Sequence, residues 1–350
     1  MSTMKGFGIT KRFEEFGPLT AEKPVCGPMD AICEPVALAA CTSDPHQVHG
    51  GIREGMVLGH EAVGRIVKVG SFVKEFKVGD VVALPCTTPD WLGLGIQDNI
   101  SQHCSGENTG MNWCVEENGT FAEQFRVRQV DLNAAFIPEG LSYDDALMAS
   151  DMMTTGLSGA ELANIQFGDT VAVVGIGAVG LMAVAGAKLR GASRIIGIGR
   201  RPLTMDLARY YGATDILNYT EGNIDEQVVE LLGGKNPDCV IVAGGDQEAF
   251  MRAVTMTKAN GYVANLVGQT FEMVLPRKAT HSNCAHKHIV GGLCPGGRRR
   301  IERMLSLIET GRIDPKPLIT ARFNGFEHIM DAYNMMDHKT DNNLKPVVYL

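Results

Sequence analysis

The chain is 350 residues long, 45% hydrophobic and 21% charged, with a net charge of −8 and a pI near 5.6. About two domains are expected at ~150 residues each, and the composition excludes disorder, collagen-like repeats and coiled coil. The acidic balance leaves no electrostatic footprint for nucleic acid or an anionic membrane, so neither is expected as a partner.

Residues 1–16 carry Lys5, Lys11, Arg12, Glu14 and Glu15 and lack an apolar core, so no signal peptide is expected. The nine cysteines are odd in number and scattered, which points to a reducing cytoplasm with thiols in cores or as ligands. The first 150 residues read as β-rich and irregular. Gly64 to Gly70 alternates with a period of two, as a half-buried strand does, and another strand is expected within Val78 to Pro85. Cys86 to Gly119 reads as a long polar loop holding Trp91 and Trp113, and a loop that long inside a compact domain is usually functional or disordered.

From about Thr155 the texture changes. Strands are expected at Val171–Val174, Arg194–Ile198, Asp215–Leu217, Asp238–Ala243 and Gly261–Leu266. Helical patterns separate them: one running to Leu189, then Leu203–Tyr211, Ile224–Leu232 and Phe250–Thr257. Such alternation means βαβ units and a parallel sheet. After about Pro295 the sequence predicts one amphipathic helix, Arg300–Thr310, and a closing strand, Pro346–Leu350.

Gly175-Ile176-Gly177-Ala178-Val179-Gly180 matches G-x-G-x-x-G, and it follows an apolar strand and opens a helix. In that context the first glycine permits the turn, the second lets backbone approach a pyrophosphate, and the third packs helix on strand. The alternative is a glycine-rich turn in some other α/β sheet. An acidic residue about 20 positions further on would bind the ribose of NAD. Gly199-Arg200-Arg201 stands there instead, and two guanidiniums favour a 2′-phosphate, hence NADP(H). The plainer reading is a solvated arginine pair.

Upstream lie Cys41, His60 and Glu61, and Asp151 lies at the border of the nucleotide region. Cys, His and Asp all ligate zinc, and three protein ligands plus an open position is the catalytic arrangement. One thiolate and one carboxylate neutralise a divalent ion, and Glu61 could add a fourth oxygen. Taken singly, a cysteine is more often a small buried hydrophobe, and a histidine a satisfied core or surface residue.

Together these segments resemble the zinc-dependent medium-chain alcohol dehydrogenases, in particular their NADP-dependent secondary-alcohol branch. The resemblance spans nearly the whole chain. Its carriers are Cys41-Thr42-Ser43-Asp44, Leu58 to Gly64, Thr88-Pro89-Asp90-Trp91, Asp151 to Gly156, Gly175 to Gly180, Gly212 to Ile216 and Gly291 to Arg298. It implies an α/β chain in which a doubly wound Rossmann domain (154–295) is inserted into a mainly β, irregular barrel-like catalytic domain (1–153 and 296–350). It implies that Cys41, His60 and Asp151 ligate one catalytic zinc, with Glu61 exchangeable. Ser43 and His46 would relay the proton, Thr155 would touch the nicotinamide, and Gly199, Arg200, Arg201 and Tyr219 would surround the 2′-phosphate. Cys86, Trp113, Leu293 and Cys294 are the pocket candidates. A homotetramer is implied, as is a preference for small secondary alcohols and ketones over primary alcohols and aldehydes.

The chain departs from the branch in places. Gly199-Arg200-Arg201 replaces Gly-Ser-Arg, Leu266 replaces an aromatic residue, and His46 to Met56 is shortened. Cys86, Cys104 and Cys114 are too widely spaced for the four-cysteine structural zinc of many relatives, so none is expected. Rival readings are another zinc polyol or amino-acid dehydrogenase, a zinc-free quinone or enone reductase, and a non-catalytic NADPH-binding module. The arginine pair argues against NAD-linked polyol enzymes, and an intact ligand set argues against the other two.

Overall fold

The computed structural model describes residues 2–103, 112–268, 274–275 and 286–350. Its contacts divide the chain into two compact units, Met1–Thr154 with Leu293–Leu350, and Thr155–Gly292.

The first unit is mainly β. Strands Thr3–Lys11 and Glu15–Glu22 form an antiparallel hairpin. A seven-stranded sheet runs Ile319–Asn324, Lys345–Tyr349, Ala31–Ala39, Ala62–Val69, Val81–Ala83 and Ala135–Phe136, with Phe125–Val127 also paired to Ala31–Ala39. Ala31–Ala39 is therefore the central strand. One edge pairs Val347 with Ala39, and the other pairs Leu38 with Ala62. This pairing brings the chain's last strand beside segments some 300 residues earlier. The core includes Ile9, Leu38, Ile66, Val82, Phe121 and Phe125, all essentially inaccessible to water.

The tail holds the expected amphipathic helix, at Arg298–Glu309, burying Ile301, Met304, Leu305 and Ile308. It also holds a second helix, Ile329–Asp337, which the sequence reading did not include. Its buried Ile329, Ala332, Tyr333 and Met336 have the i, i+3, i+4, i+7 spacing of a core-facing stripe. Tyr333 stacks on Phe16 with ring centroids 3.9 Å apart.

In the second unit six parallel strands run in the order Asp215–Asn218, Arg194–Gly199, Thr170–Val174, Cys239–Val242, Tyr262–Asn265 and His288–Gly291. In chain order this is 3-2-1-4-5-6, the doubly wound dinucleotide-binding arrangement. The four inner strands are buried on both faces, so they read as continuous apolar runs. His288–Gly291 was not anticipated, because only Ile289 and Val290 are apolar. It pairs with Tyr262–Asn265 at the sheet edge, where a half-polar strand is tolerated. Leu266 packs against helix Thr154–Leu162, where a Cβ on Gly159 would lie 2.7 Å from its Cδ1.

Among the described residues, no helix is long and apolar enough to cross a membrane.

Candidate functional site

The first unit gathers Cys41, His60, Glu61 and Asp151, with one ligand atom from each lying within 4.8 Å of all the others. They arrive from three places in the chain. Cys41 follows the central strand, and His60 and Glu61 precede its neighbour Ala62–Val69. Asp151 sits in a π-helical turn, Ala149–Met153, a helix irregularity that concentrates at functional sites. Arg300, from the tail helix, donates from Nη2 to the Thr154 carbonyl at 2.8 Å and so ties the tail beside that turn.

His60 Nε2 lies 3.6 Å from Asp151 Oδ2 and 3.8 Å from Glu61 Oε1. Cys41 Sγ lies 3.7 Å from Asp151 Oδ2. Asp44, fully buried, supports the group from behind. Its Oδ2 accepts the Cys41 N–H at 2.8 Å, and its Oδ1 lies 3.4 Å from His60 Nδ1. A carboxylate on one ring nitrogen directs the other toward a metal. Asp44 was missed as a functional residue, although it lies inside the quoted Cys41-Thr42-Ser43-Asp44 segment. Lys345 was missed as well: its ammonium donates to Glu61 Oε1, and both side chains are buried. The two are 284 positions apart, so no local pattern reveals the pair.

Burial disfavours a charged His60, but Asp151, Asp44, Cys114 and Cys41 outweigh it and hold its pKa well above the ordinary value. Burial pushes the Glu61 carboxyl up, with the nearby Asp151 adding to the rise and Lys345 opposing it. Burial likewise works against the Lys345 ammonium, yet Cys41, Glu61 and Asp151 hold it protonated. Four potential anions, Cys41, Asp44, Glu61 and Asp151, therefore surround His60 and Lys345 in a largely buried site. Glu61 Oε2 is buried without a hydrogen-bond partner, and a buried carboxylate oxygen left so calls for a cation. The thiol, imidazole and carboxylate donors suit zinc in kind and number. The residues therefore fit the ion.

Ser43 Oγ lies 3.3 Å from His60 Nε2, at the donor cluster. His46 is exposed on the same short helix, Ser43–His49. Desolvation by the surrounding protein, aided by Lys339 and His49, lowers its pKa. Cys86 Sγ lies 3.5 Å from Asp151 Oδ1 and 3.5 Å from Cys294 Sγ, so two pocket candidates meet at the cluster. Leu293, next to Cys294, is half-buried. Trp113 is 1% exposed, packs edge-on against Phe125, and its Nε1 donates to the Arg126 carbonyl. Of the other cysteines weighed for a structural zinc, Cys114 Sγ donates to the Gly59 carbonyl, and Cys104 lies outside the described residues.

In the second unit the glycine loop links strand Thr170–Val174 to helix Ala178–Leu189, with Val179 in the helix's first turn. Gly175 has φ +85°, and a Cβ there would lie 2.6 Å from the Gly244 Cα. A Cβ on Gly180 would lie 2.0 Å from the Gly175 carbonyl oxygen. Gly177 caps the helix and has nothing within 4 Å of its Cβ position. The first and third glycines thus serve packing, while the second borders open space. The helix N-terminus above it offers free N–H groups to an anion. Ile176 is buried, and a Cβ on Gly199 would lie 2.4 Å from its Cγ1. Gly199 is therefore required by the fingerprint's own isoleucine, beyond any room it leaves for a phosphate. Arg200 is exposed, and Arg201 is half-buried as N-cap of helix Pro202–Tyr211. Tyr219, at the end of the third strand of the unit, is 49% exposed. Thr155 is half-buried, and its carbonyl accepts from Ser158.

A doubly wound sheet with a glycine fingerprint, and a buried Cys/His/Glu/Asp cluster on the same chain, define a metal-assisted nucleotide-dependent oxidoreductase. Comparison with known proteins narrows this. Residues 27–137 match the alcohol dehydrogenase GroES-like domain, and residues 178–310 match the zinc-binding dehydrogenase family. The chain is 48% identical to a protein of Thermoanaerobacter brockii named NADP-dependent isopropanol dehydrogenase, covering 99% of this chain and 100% of that one. A protein of Clostridium beijerinckii with the same name is 47% identical, with the same coverage. The solved zinc-dependent alcohol dehydrogenase 2 from Streptococcus pneumonia superposes with a TM-score of 0.88 at 25% identity, covering 99% of this chain and 98% of that chain. The chain belongs to the zinc-dependent medium-chain alcohol dehydrogenase family.

Proposed function

We propose that the protein is an NADP(H)-dependent alcohol dehydrogenase that interconverts small secondary alcohols and ketones by hydride transfer, with primary alcohols and aldehydes as poorer substrates. The observation that carries this reading is the buried four-donor cluster of Cys41, His60, Glu61 and Asp151, on a chain whose other unit has the dinucleotide-binding strand order. The chain reads as a catalytic domain, 1–153 with 296–350, and a nucleotide domain, 154–295, a division close to the two compact units at 1–154 with 293–350 and 155–292.

Cys41, His60 and Asp151 hold one zinc per chain, with Glu61 as exchangeable fourth ligand. When bound there, zinc supplies Lewis acidity that brings an alcohol's proton within reach of neutral pH. Ser43, beside His60, takes that proton from the substrate hydroxyl and hands it outward, with His46 at the exposed end of the relay. His46 suits the role because imidazole titrates near the working range. Asp44 holds the His60 ring and the Cys41 backbone so that the donors need not reorganise. Cys86, Leu293 and Cys294 shape the pocket beside Asp151. In the nucleotide domain, the Gly177 backbone and the following helix N-terminus receive the pyrophosphate of NADP(H), the hydride carrier. Arg201, supported by Gly199, Arg200 and Tyr219, binds the 2′-phosphate, and Thr155 contacts the nicotinamide. A cytoplasmic homotetramer is the form in which we expect it.

The test is the initial rate of propan-2-ol oxidation with NADP and NAD in parallel, followed by nicotinamide absorbance. A large NADP preference with good turnover supports the reading. Turnover with NAD alone refutes the phosphate site, and no turnover by zinc-replete protein refutes the substrate class.

A further inference from the structure

The two oxygens of Asp151 face two different groups of donors. Oδ2 faces Cys41 and His60, at 3.7 and 3.6 Å. Oδ1 faces Cys86 Sγ at 3.5 Å, and that sulfur is in turn 3.5 Å from Cys294 Sγ. One donor atom from each of Cys86, Asp151 and Cys294 lies within 4.8 Å of the other two. Thr87 adds a hydroxyl 3.4 Å from Cys294 Sγ and 3.8 Å from Cys86 Sγ. The three donors are 4–8% exposed, so the group is dry but not sealed.

We propose that Cys86, Cys294 and Asp151 Oδ1 form a second metal site, selective for a thiophilic d10 cation such as cadmium, with Asp151 bridging it to the first. Two thiolates bound tetrahedrally to one ion at about 2.3 Å, the zinc–thiolate distance, stand ~3.8 Å apart, and the larger cadmium ion sets them somewhat farther. The sulfurs, 3.5 Å apart, need separate by only a fraction of an ångström. Soft thiolates select soft cations, and two of them neutralise a divalent ion. On binding, each thiol releases one proton to solvent as its sulfur–metal bond forms, and no electron is transferred. The Thr87 hydroxyl or a water completes the fourth position. The first cluster, with one sulfur, is a different environment from this one with two. Because Cys86 and Cys294 belong to the substrate pocket proposed above, an ion here would also exclude alcohol. That consequence rests on the proposed function, whereas metal uptake does not.

The experiment titrates zinc-loaded protein with cadmium under a non-thiol reductant. It measures both metals in the protein after desalting, and the ultraviolet charge-transfer band of thiolate–cadmium bonds. Wild type is expected to gain one cadmium per chain while keeping its zinc, with the band appearing. The Cys86→Ser/Cys294→Ser double variant is expected to gain none at the same concentration and to lack the band. Cadmium gained only against an equal loss of zinc, or uptake unchanged in the double variant, overturns the proposal. Should the double variant fail to fold, cadmium NMR of the wild type decides. A resonance in the two-sulfur range supports the site, and a lone one-sulfur signal overturns it.

Discussion

Gly177 and Gly180 belong to one motif, yet their surroundings predict opposite outcomes for the same substitution. Gly180→Ala puts a methyl 2.0 Å from the Gly175 carbonyl oxygen, well inside any real contact. Relief requires the helix and the loop to part by about 1 Å, and overpacking of this kind costs ~1–3 kcal/mol or more. Gly177→Ala meets nothing within 4 Å, and its backbone (φ −75°, ψ −167°) is extended and open to alanine. A poorer N-cap costs about 0.5–1 kcal/mol, and a stiffer unfolded chain returns ~0.4–1 kcal/mol, so stability should barely change. The methyl instead occupies the space left to the pyrophosphate. Losing one hydrogen bond to a charged group costs about 1.5–3 kcal/mol, which is a ~10–150-fold rise in Kd for NADP(H). Urea unfolding and nucleotide fluorescence titration separate the two effects. The reasoning fails if Gly177→Ala is destabilised as much as Gly180→Ala, or if it binds NADPH like wild type.

Asp151→Ala should lose zinc and alcohol oxidation together, read by metal analysis and rate; full activity in a metal-free variant would refute the mechanism. Lys345→Met strands Glu61 in the interior, and breaking a buried pair costs about 3–5 kcal/mol. The double variant Glu61→Gln/Lys345→Met should recover most of that loss in urea unfolding, and equal losses would show that the pair itself is not the cause. Arg201→Ser should lower the NADP-over-NAD ratio of kcat/KM by ~10-fold or more, one charge-assisted hydrogen bond's worth; an unchanged ratio would remove Arg201 from the phosphate site. Ser142 caps the helix Tyr143–Met148 in a reciprocal box with Asp145, and Ser142→Ala should cost ~1 kcal/mol. Burial pushes the Asp145 carboxyl up, but Ser142 and Lys316 outweigh it and hold its pKa below the ordinary value. Its contribution is therefore present above the unfolded value near 3.8 and is lost as pH falls through the lower folded value. The gap between wild type and Ser142→Ala should narrow below about pH 4, and a gap that widens on acidification would contradict the cap.

The sequence by itself determined the nucleotide domain in some detail. Its inner strands are buried on both faces, so apolar runs, glycines and helical stripes mark the elements along the chain, and five of the six parallel strands lie where the pattern puts them. The fingerprint is equally local, since turn, cap and close packing occur within six consecutive residues. The tertiary structure alone decided the rest. His288–Gly291 joins the sheet because an edge needed a partner, and its own residues barely ask for it. Lys345 and Arg300 reach the donor cluster and its turn through contacts that sequence separation hides, while Asp44, three residues from Cys41, carries no local pattern that marks its carboxylate as a support. Trp113, in a segment that reads as a polar loop, is buried among core residues. The Cys86–Cys294 pair, 208 positions apart, exists because the Cys86 backbone and the tail both meet the turn that carries Asp151. A linear pattern records which side chains a segment offers and on which face. Which of them meet in a dry space, and with what charge opposite, depends on sheet pairing between distant strands.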